Sequence, residues 1–127
     1  MKEMQVMNDA SPDARNALIS GGTSGIGLAL AQGFAAAGYN VIAAGLGPLP
    51  HSTPSIRFAR LDVTDGPAVA ALVSELPDLD VVVNAAGIIR REDEFDPDIF
   101  AQVIDINLNG TMRICTAARA ALAKRNG

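Results

Sequence analysis

The feature that most constrains this chain is a short apolar run that stops in a cluster of glycines. Ala17-Leu18-Ile19 leads into Ser20-Gly21-Gly22-Thr23-Ser24-Gly25-Ile26-Gly27, after which Ile26, Leu30, Phe34 and Ala37 recur at helical spacing. Such a segment folds as a buried strand, a tight turn and a helix. A turn free of Cβ atoms lets main chain touch a ligand, and unpaired N–H groups at a helix start suit a pyrophosphate. Glycines 21, 25 and 27 supply that turn in a G-x-x-x-G-x-G spacing, unlike the usual G-x-G-x-x-G, and no Lys-Ser/Thr follows as a P-loop would require. The competing reading is a glycine turn that only joins strand to helix; the pattern downstream argues against it.

That pattern repeats the alternation of strand and helix. Gly38 is placed to close the first helix, and Val41-Ile42-Ala43-Ala44 reads as a second strand ended by Gly45, Gly47, Pro48 and Pro50. Ile56 to Leu61 alternates as a third strand. Thr64 or Asp65 can cap a helix with Pro67 in its first turn and Val69, Leu72, Val73 and Leu76 on one face; Pro77 stops it. Val81-Val82-Val83 is a fourth strand, ending in Asn84-Ala85-Ala86-Gly87. From about Pro97 to Lys124 the composition is helical, with a bend expected near Asn109-Gly110. Apolar strands between amphipathic helices predict an α/β fold with a parallel sheet covered on both faces. The stretch between Gly45 and Ile56 is short for a helical crossover, so the topology is least constrained there. Residues 1–15, polar and broken by Pro12, read as a flexible tail, and 16–127 as one domain.

Charge and cysteine usage exclude several function classes. The net charge is −4, which disfavours nucleic acid and anionic membrane surfaces as partners. No apolar run approaches the ~18 residues of a membrane span. One cysteine, Cys115, and one histidine, His51, leave neither a disulfide nor a metal site to build, and predict a reducing, cytoplasmic setting.

The same residues resemble the short-chain dehydrogenases/reductases. The loop looks like that family's T-G-x-x-x-G-I-G, with Ser20 replacing the threonine. Leu61-Asp62-Val63-Thr64 resembles its L-D-V-T, Asn84-Ala85-Ala86-Gly87 its N-N-A-G, and Val103-Ile104-Asp105-Ile106-Asn107-Leu108-Asn109-Gly110 its V-x-D-V-N-L-x-G helix. The resemblance implies a Rossmann-type doubly wound sheet, represented by about four of the usual seven strands. It implies that Gly21, Gly25 and Gly27 approach the pyrophosphate of NAD or NADP, with Thr23, Ser24 and Ile26 as loop contacts. Asp62 would accept from the adenine amino group beside Val63, and Asn84, Ala85, Ala86 and Gly87 would line the adenosine ribose. Bland alternatives stand beside these: Asp62 as a turn former, Asn84 and Asn107 as side chains bonding local backbone.

Two departures matter. Gly45 occupies the position of the acid that would bind a ribose 2′-hydroxyl, and Leu46 that of a base for a 2′-phosphate, so discrimination between NAD and NADP is expected to be weak. The family's reaction, hydride transfer with a small carbonyl or alcohol, uses a Ser, a Tyr-x-x-x-Lys pair and a supporting Asn. Asn107 matches the Asn, while the lone tyrosine, Tyr39, has Ala43 four residues on. The expectation is therefore the cofactor end of an oxidoreductase, truncated on its C-terminal side, inactive alone and homo-oligomeric by resemblance. The alternative is a non-catalytic nucleotide-binding or interaction module.

Overall fold

The computed structural model describes residues 13–127; most of the expected N-terminal tail lies outside the described residues. Four strands form one parallel sheet in the order β3-β2-β1-β4: β1 Asn16–Ser20, β2 Asn40–Gly45, β3 Ile56–Arg60 and β4 Val81–Asn84. The helices are α1 Gly25–Ala36, α2 Gly66–Ser74, α3 Pro97–Ile104 and α4 Gly110–Ala123, with a π-helical turn, Asp105–Asn109, joining the last two. Each strand boundary falls within one residue of the sequence-based expectation.

The sheet has a separate core on each face. Ile19, Val41, Ala43, Ile56 and Phe58 pack beneath Ala31, Leu28 and Phe34 of α1. Leu18, Ile42, Ala44 and Ala59 face Val69, Leu72 and Val73 of α2 and Ile114 and Ala118 of α4. Strand alternation assigns these two sets, and the central β1 is buried along its whole length. Leu18, Ile19 and Ile42 are wholly inaccessible, each stabilising the fold by roughly 1.5–3 kcal/mol. The polar N-terminal end of β1 is satisfied by the segment leading into β4: the Asn16 side chain donates to the Asp78 carbonyl at 2.9 Å, and its backbone N–H to Asp80 Oδ2 at 2.8 Å.

Helix ends follow their caps. Gly38, at φ +93°, donates to the Ala35 carbonyl, and Tyr39 donates back to Phe34, both at 3.0 Å. The Phe34 and Tyr39 rings then meet edge to face at 5.0 Å, completing the usual glycine-terminated helix end. At α2 it is Asp65, not Thr64, that caps, accepting from the Ala68 N–H at 3.0 Å.

The doubtful crossover contains no helix. Residues 46–55 return to the sheet as a loop whose hydroxyls satisfy N–H groups of the edge strand β3: Ser52 Oγ accepts from the Phe58 N–H at 2.9 Å and Thr53 Oγ1 from the Ile56 N–H at 3.0 Å. The expected bend near residues 109–110 is the π turn. Gly110 follows it and packs closely on the wall segment, where a Cβ would lie 2.6 Å from Val63 Cγ2. No helix among the described residues is long and apolar enough to cross a membrane.

Candidate functional site

All four strands deliver their C-terminal ends to one cleft of about 400 Å³. Its floor is the β1–α1 turn: Gly21, Thr23, Ser24, Gly25, Ile26 and Gly27. Gly45 and Leu46 form one wall, Leu61, Asp62 and Val63 the next, and Ala85, Ala86, Gly87, Ile88 and Ile106 the far side. A cleft of this size at the carboxyl ends of parallel strands is where α/β sheets bind small ligands.

The floor is shaped by backbone packing. Gly21 has φ +68°, and a Cβ there would press on the backbone between Ala85 and Ala86. A Cβ on Gly27 would collide with the Gly21 carbonyl oxygen. These two glycines let turn, helix and β4 end touch main chain to main chain. Gly25, at φ +54°, has open space where its Cβ would stand, so its role is conformational and it leaves room above the turn. Ser24 caps α1 in position but makes no side-chain cap bond, so the first N–H groups of the helix face the cleft uncovered by a side chain. Uncovered helix N–H groups and open space above Gly25 together give this floor the shape and polarity that suit an anion such as a pyrophosphate.

Side-chain clamps set the walls. Thr23 Oγ1 donates to the Leu46 carbonyl at 3.2 Å, tying the floor to the β2 end. Asp62 Oδ1 accepts from the Thr64 N–H at 2.9 Å and from its hydroxyl at 2.7 Å. The backbone bond first and the hydroxyl second hold the Asp62 carboxyl below the ordinary carboxylate range, so it stays an ionised acceptor. Arg113 reaches the Val63 carbonyl at 3.1 Å and pairs with Asp105 at 2.6 Å, fixing that wall to the π turn. Asn107, at the centre of the π turn, grips Ile88 twice: its Oδ1 accepts from the N–H at 2.8 Å and its Nδ2 donates to the carbonyl at 2.9 Å.

The expected residues therefore assemble, with two exceptions. Asn84 is the last strand residue and alternation turns its side chain away from the cleft; its Nδ2 lies 3.5 Å from Cys115 Sγ, in a separate groove beside Arg119. Asn107 does not line the cleft but anchors the loop that does, and it bonds a segment 19 residues away rather than its own turn. Sequence reading missed Leu61, Ile88 and Ile106 as lining residues, although Ile106 stands within the quoted helix motif. It also missed Gly22, whose N–H donates to the Ala44 carbonyl at 3.1 Å and whose Cβ would fall 2.9 Å from that of Ala43.

Comparison with known proteins agrees with this geometry. The family model described as short chain dehydrogenase matches residues 15–127. The chain is 34% identical over 119 residues to a 3beta-hydroxysteroid dehydrogenase of Mediterraneibacter gnavus, covering 81% of this chain and 43% of that one. It is 34% identical over 121 residues to a galactitol 2-dehydrogenase of Agrobacterium fabrum, covering 86% and 47%. Among solved structures, a short chain dehydrogenase/reductase family protein superposes with a TM-score of 0.76 at 35% identity, over 87% of this chain and 51% of the other. An actinorhodin polyketide ketoreductase with NADPH gives 0.78 at 25% identity, over 92% and 51%. The chain spans about half the length of the curated relatives it matches.

Proposed function

We propose, since the chain belongs to the short-chain dehydrogenase family, that it forms the cofactor-binding half of an oxidoreductase acting between NAD(P)(H) and a carbonyl or alcohol group of a small molecule. The observation that carries the reading is the glycine floor, where Gly21 and Gly27 abut main chain beneath the uncapped N-terminus of α1. A bound nicotinamide dinucleotide supplies the hydride chemistry. The chain's own residues do the holding. The turn from Gly21 to Gly27, with Thr23, Ser24 and Ile26, cradles the pyrophosphate; Gly45 and Leu46 border the adenosine ribose; Asp62, already oriented by Thr64, accepts from the adenine amino group beside Val63. Ala85, Ala86 and Gly87 wall the far side. Asn107 acts through Ile88, keeping that wall in register, as a positioning residue.

The test is a titration of the 127-residue chain with NADH and NADPH, read by the change in nicotinamide fluorescence or by calorimetry. Saturable binding that is lost in Gly21→Val supports the reading; wild-type protein that binds neither dinucleotide refutes it. The same reading expects no turnover from these 127 residues alone. Tyr39 follows α1 at the opposite end of the strands from the cleft, its ring against Phe34 and its hydroxyl 3.4 Å from Arg15 Nη1. That placement also favours a second reading, a nucleotide-binding or interaction module without catalysis. Intact mass of the protein from its native source separates the two: a longer chain carrying Tyr-x-x-x-Lys restores the enzyme, and a 127-residue product that binds without turnover makes the module. Self-association is part of the proposal, resting on the exposed Phe100, Leu108 and Met112 of the α3–α4 arm, and is checked by sedimentation.

A further inference from the structure

We infer that Arg113 is a positioning residue for the base of the nucleotide: it fixes the Asp62–Val63 wall from behind, and the cleft selects adenine over hypoxanthine only while it does so. The inference rests on the nucleotide reading above. Asp62 and Val63 line the cleft, and an ionised carboxylate offers hydrogen-bond acceptors alone. An amino group facing it can donate, whereas a keto oxygen meets a second acceptor. Adenine carries the amino group where hypoxanthine carries the keto oxygen, so discrimination between them depends on where the carboxylate is held.

The sheet does not hold this wall. β3 ends at Arg60, and the bond that follows it to β2 is from the Leu61 N–H to the Gly45 carbonyl at 2.9 Å. Beyond Leu61 the chain turns and bonds to itself: the Asp65 N–H donates to the Asp62 carbonyl at 3.1 Å, and Asp62 Oδ1 accepts from the N–H and the hydroxyl of Thr64. Among the described residues, it is Arg113 that makes the polar tie from Val63 to another element. Its Nη1 donates to the Val63 carbonyl at 3.1 Å and to the Asp105 carbonyl at 3.2 Å, while Nη2 meets Asp105 Oδ1 at 2.6 Å. A planar guanidinium fork can span these three acceptors, and the point charge of a lysine cannot do so in the same way. The apolar side of Val63 meets the same helix, at Gly110, where a Cβ would lie 2.6 Å from its Cγ2. Charge points the same way: the Thr64 N–H and then its hydroxyl keep the Asp62 carboxyl ionised, and Arg113 assists them against the opposing charge of Asp105. Arg113 therefore acts on the base through Val63 and Asp62, without lining the cleft itself.

The experiment is calorimetric titration of the 127-residue chain with ADP-ribose and with inosine-diphosphate-ribose, which carries hypoxanthine in place of adenine. Wild-type protein is expected to bind the adenine probe at least tenfold tighter. Arg113→Met should bring that ratio below threefold by weakening the adenine probe while the hypoxanthine probe stays within twofold. Arg113→Lys, which keeps the charge but not the fork, should fall between. Asp105→Asn removes the ion pair to Nη2 and leaves the carbonyl bonds, so it should lower the ratio at a fold confirmed by circular dichroism. A folded Arg113→Met protein that weakens both probes equally, or keeps the wild-type ratio, overturns the inference. If Arg113→Met does not fold, Arg113→Lys and Asp105→Asn decide, and a wild-type ratio in both overturns it. Equal binding of the two probes by wild-type protein overturns the inference and leaves the nucleotide reading standing, whereas failure to bind either probe overturns both.

Discussion

Helix α1 contains two glycines beyond its first residue, and the same substitution at each should move stability in opposite directions. At Gly33 an added Cβ meets nothing within 4 Å, and the backbone is ordinary helix. Gly33→Ala therefore removes only the entropic cost of glycine in a helix and should stabilise by about 0.8 kcal/mol. At Gly27 the Cβ lands on the Gly21 carbonyl oxygen, with Gly22 Cα 3.0 Å away, and both obstacles are backbone. Neither can rotate aside as a side chain would, so α1 must lift from the β1 turn. Overpacking of this kind costs about 3 kcal/mol, near the upper end of single substitutions. With a urea slope of about 1.5 kcal/mol/M, the midpoints should move by about +0.5 M and −2 M. Nucleotide titration supplies a second axis: Gly27→Ala should lose at least tenfold in affinity, about 1.4 kcal/mol, while Gly33→Ala stays within twofold. A Gly27→Ala protein as stable as wild type, or a Gly33→Ala protein less stable, would refute the claim that close backbone contact sets this floor.

Other outcomes follow from single contacts. Asn107→Ala breaks both bonds to Ile88 and should weaken nucleotide binding by about 1–2 kcal/mol, whereas Asn107→Asp keeps the acceptor for the Ile88 N–H and should lose less; equal affinities in titrations of all three proteins would exclude the positioning role. Asp65→Ala, which removes the acceptor for the Ala68 N–H, should cost about 1 kcal/mol in chemical denaturation with no change in binding. Asp80 accepts from the Asn16 N–H and pairs with Arg125 at 3.2 Å; the first contact, then the second, depresses its pKa. Its stabilisation is present above the unfolded carboxylate value, near ~3.9, and is lost as pH falls through the lower folded value. The stability gap between wild type and Asp80→Asn, followed by denaturation from pH 7 downward, should hold until about pH 4 and then close; a gap independent of pH would contradict this.

What the sequence made legible were the features that depend on local chemistry. Strand limits followed from apolar runs bounded by glycine and asparagine, and the end of α1 from Gly38. What escaped it depended on partners distant in the chain. Asn84 was read with Ala85 to Gly87 as one unit, yet it is still in β4, and a period of two turns its side chain toward Cys115 while its successors open on the cleft. No local signal in Gly22 shows that Ala43 fills the space beside it. The crossover from β2 to β3 contains no helix, and its Ser52 and Thr53 hydroxyls accept from N–H groups of the edge strand β3, a pairing between loop and strand that no local pattern announces.

The cleft is built so that the groups touching a ligand are mostly main chain and small side chains, and the groups fixing those are elsewhere. Thr23 holds Leu46, Arg113 holds Val63, and Asn107 holds Ile88, one clamp for each wall. Two of the three come from the segment around the π turn, where Asn107 and Asp105, two residues apart and so on opposite sides of the helix, bear on different walls. Arg113 then couples the Asp62–Val63 wall to the same turn through Asp105. A change that relaxed residues 105–109 to regular α-helix would therefore loosen two walls together while leaving the glycine floor intact. Loss of adenosine-side affinity with a floor still able to hold pyrophosphate is the pattern such a variant would show, and the opposite pattern belongs to Gly27→Ala.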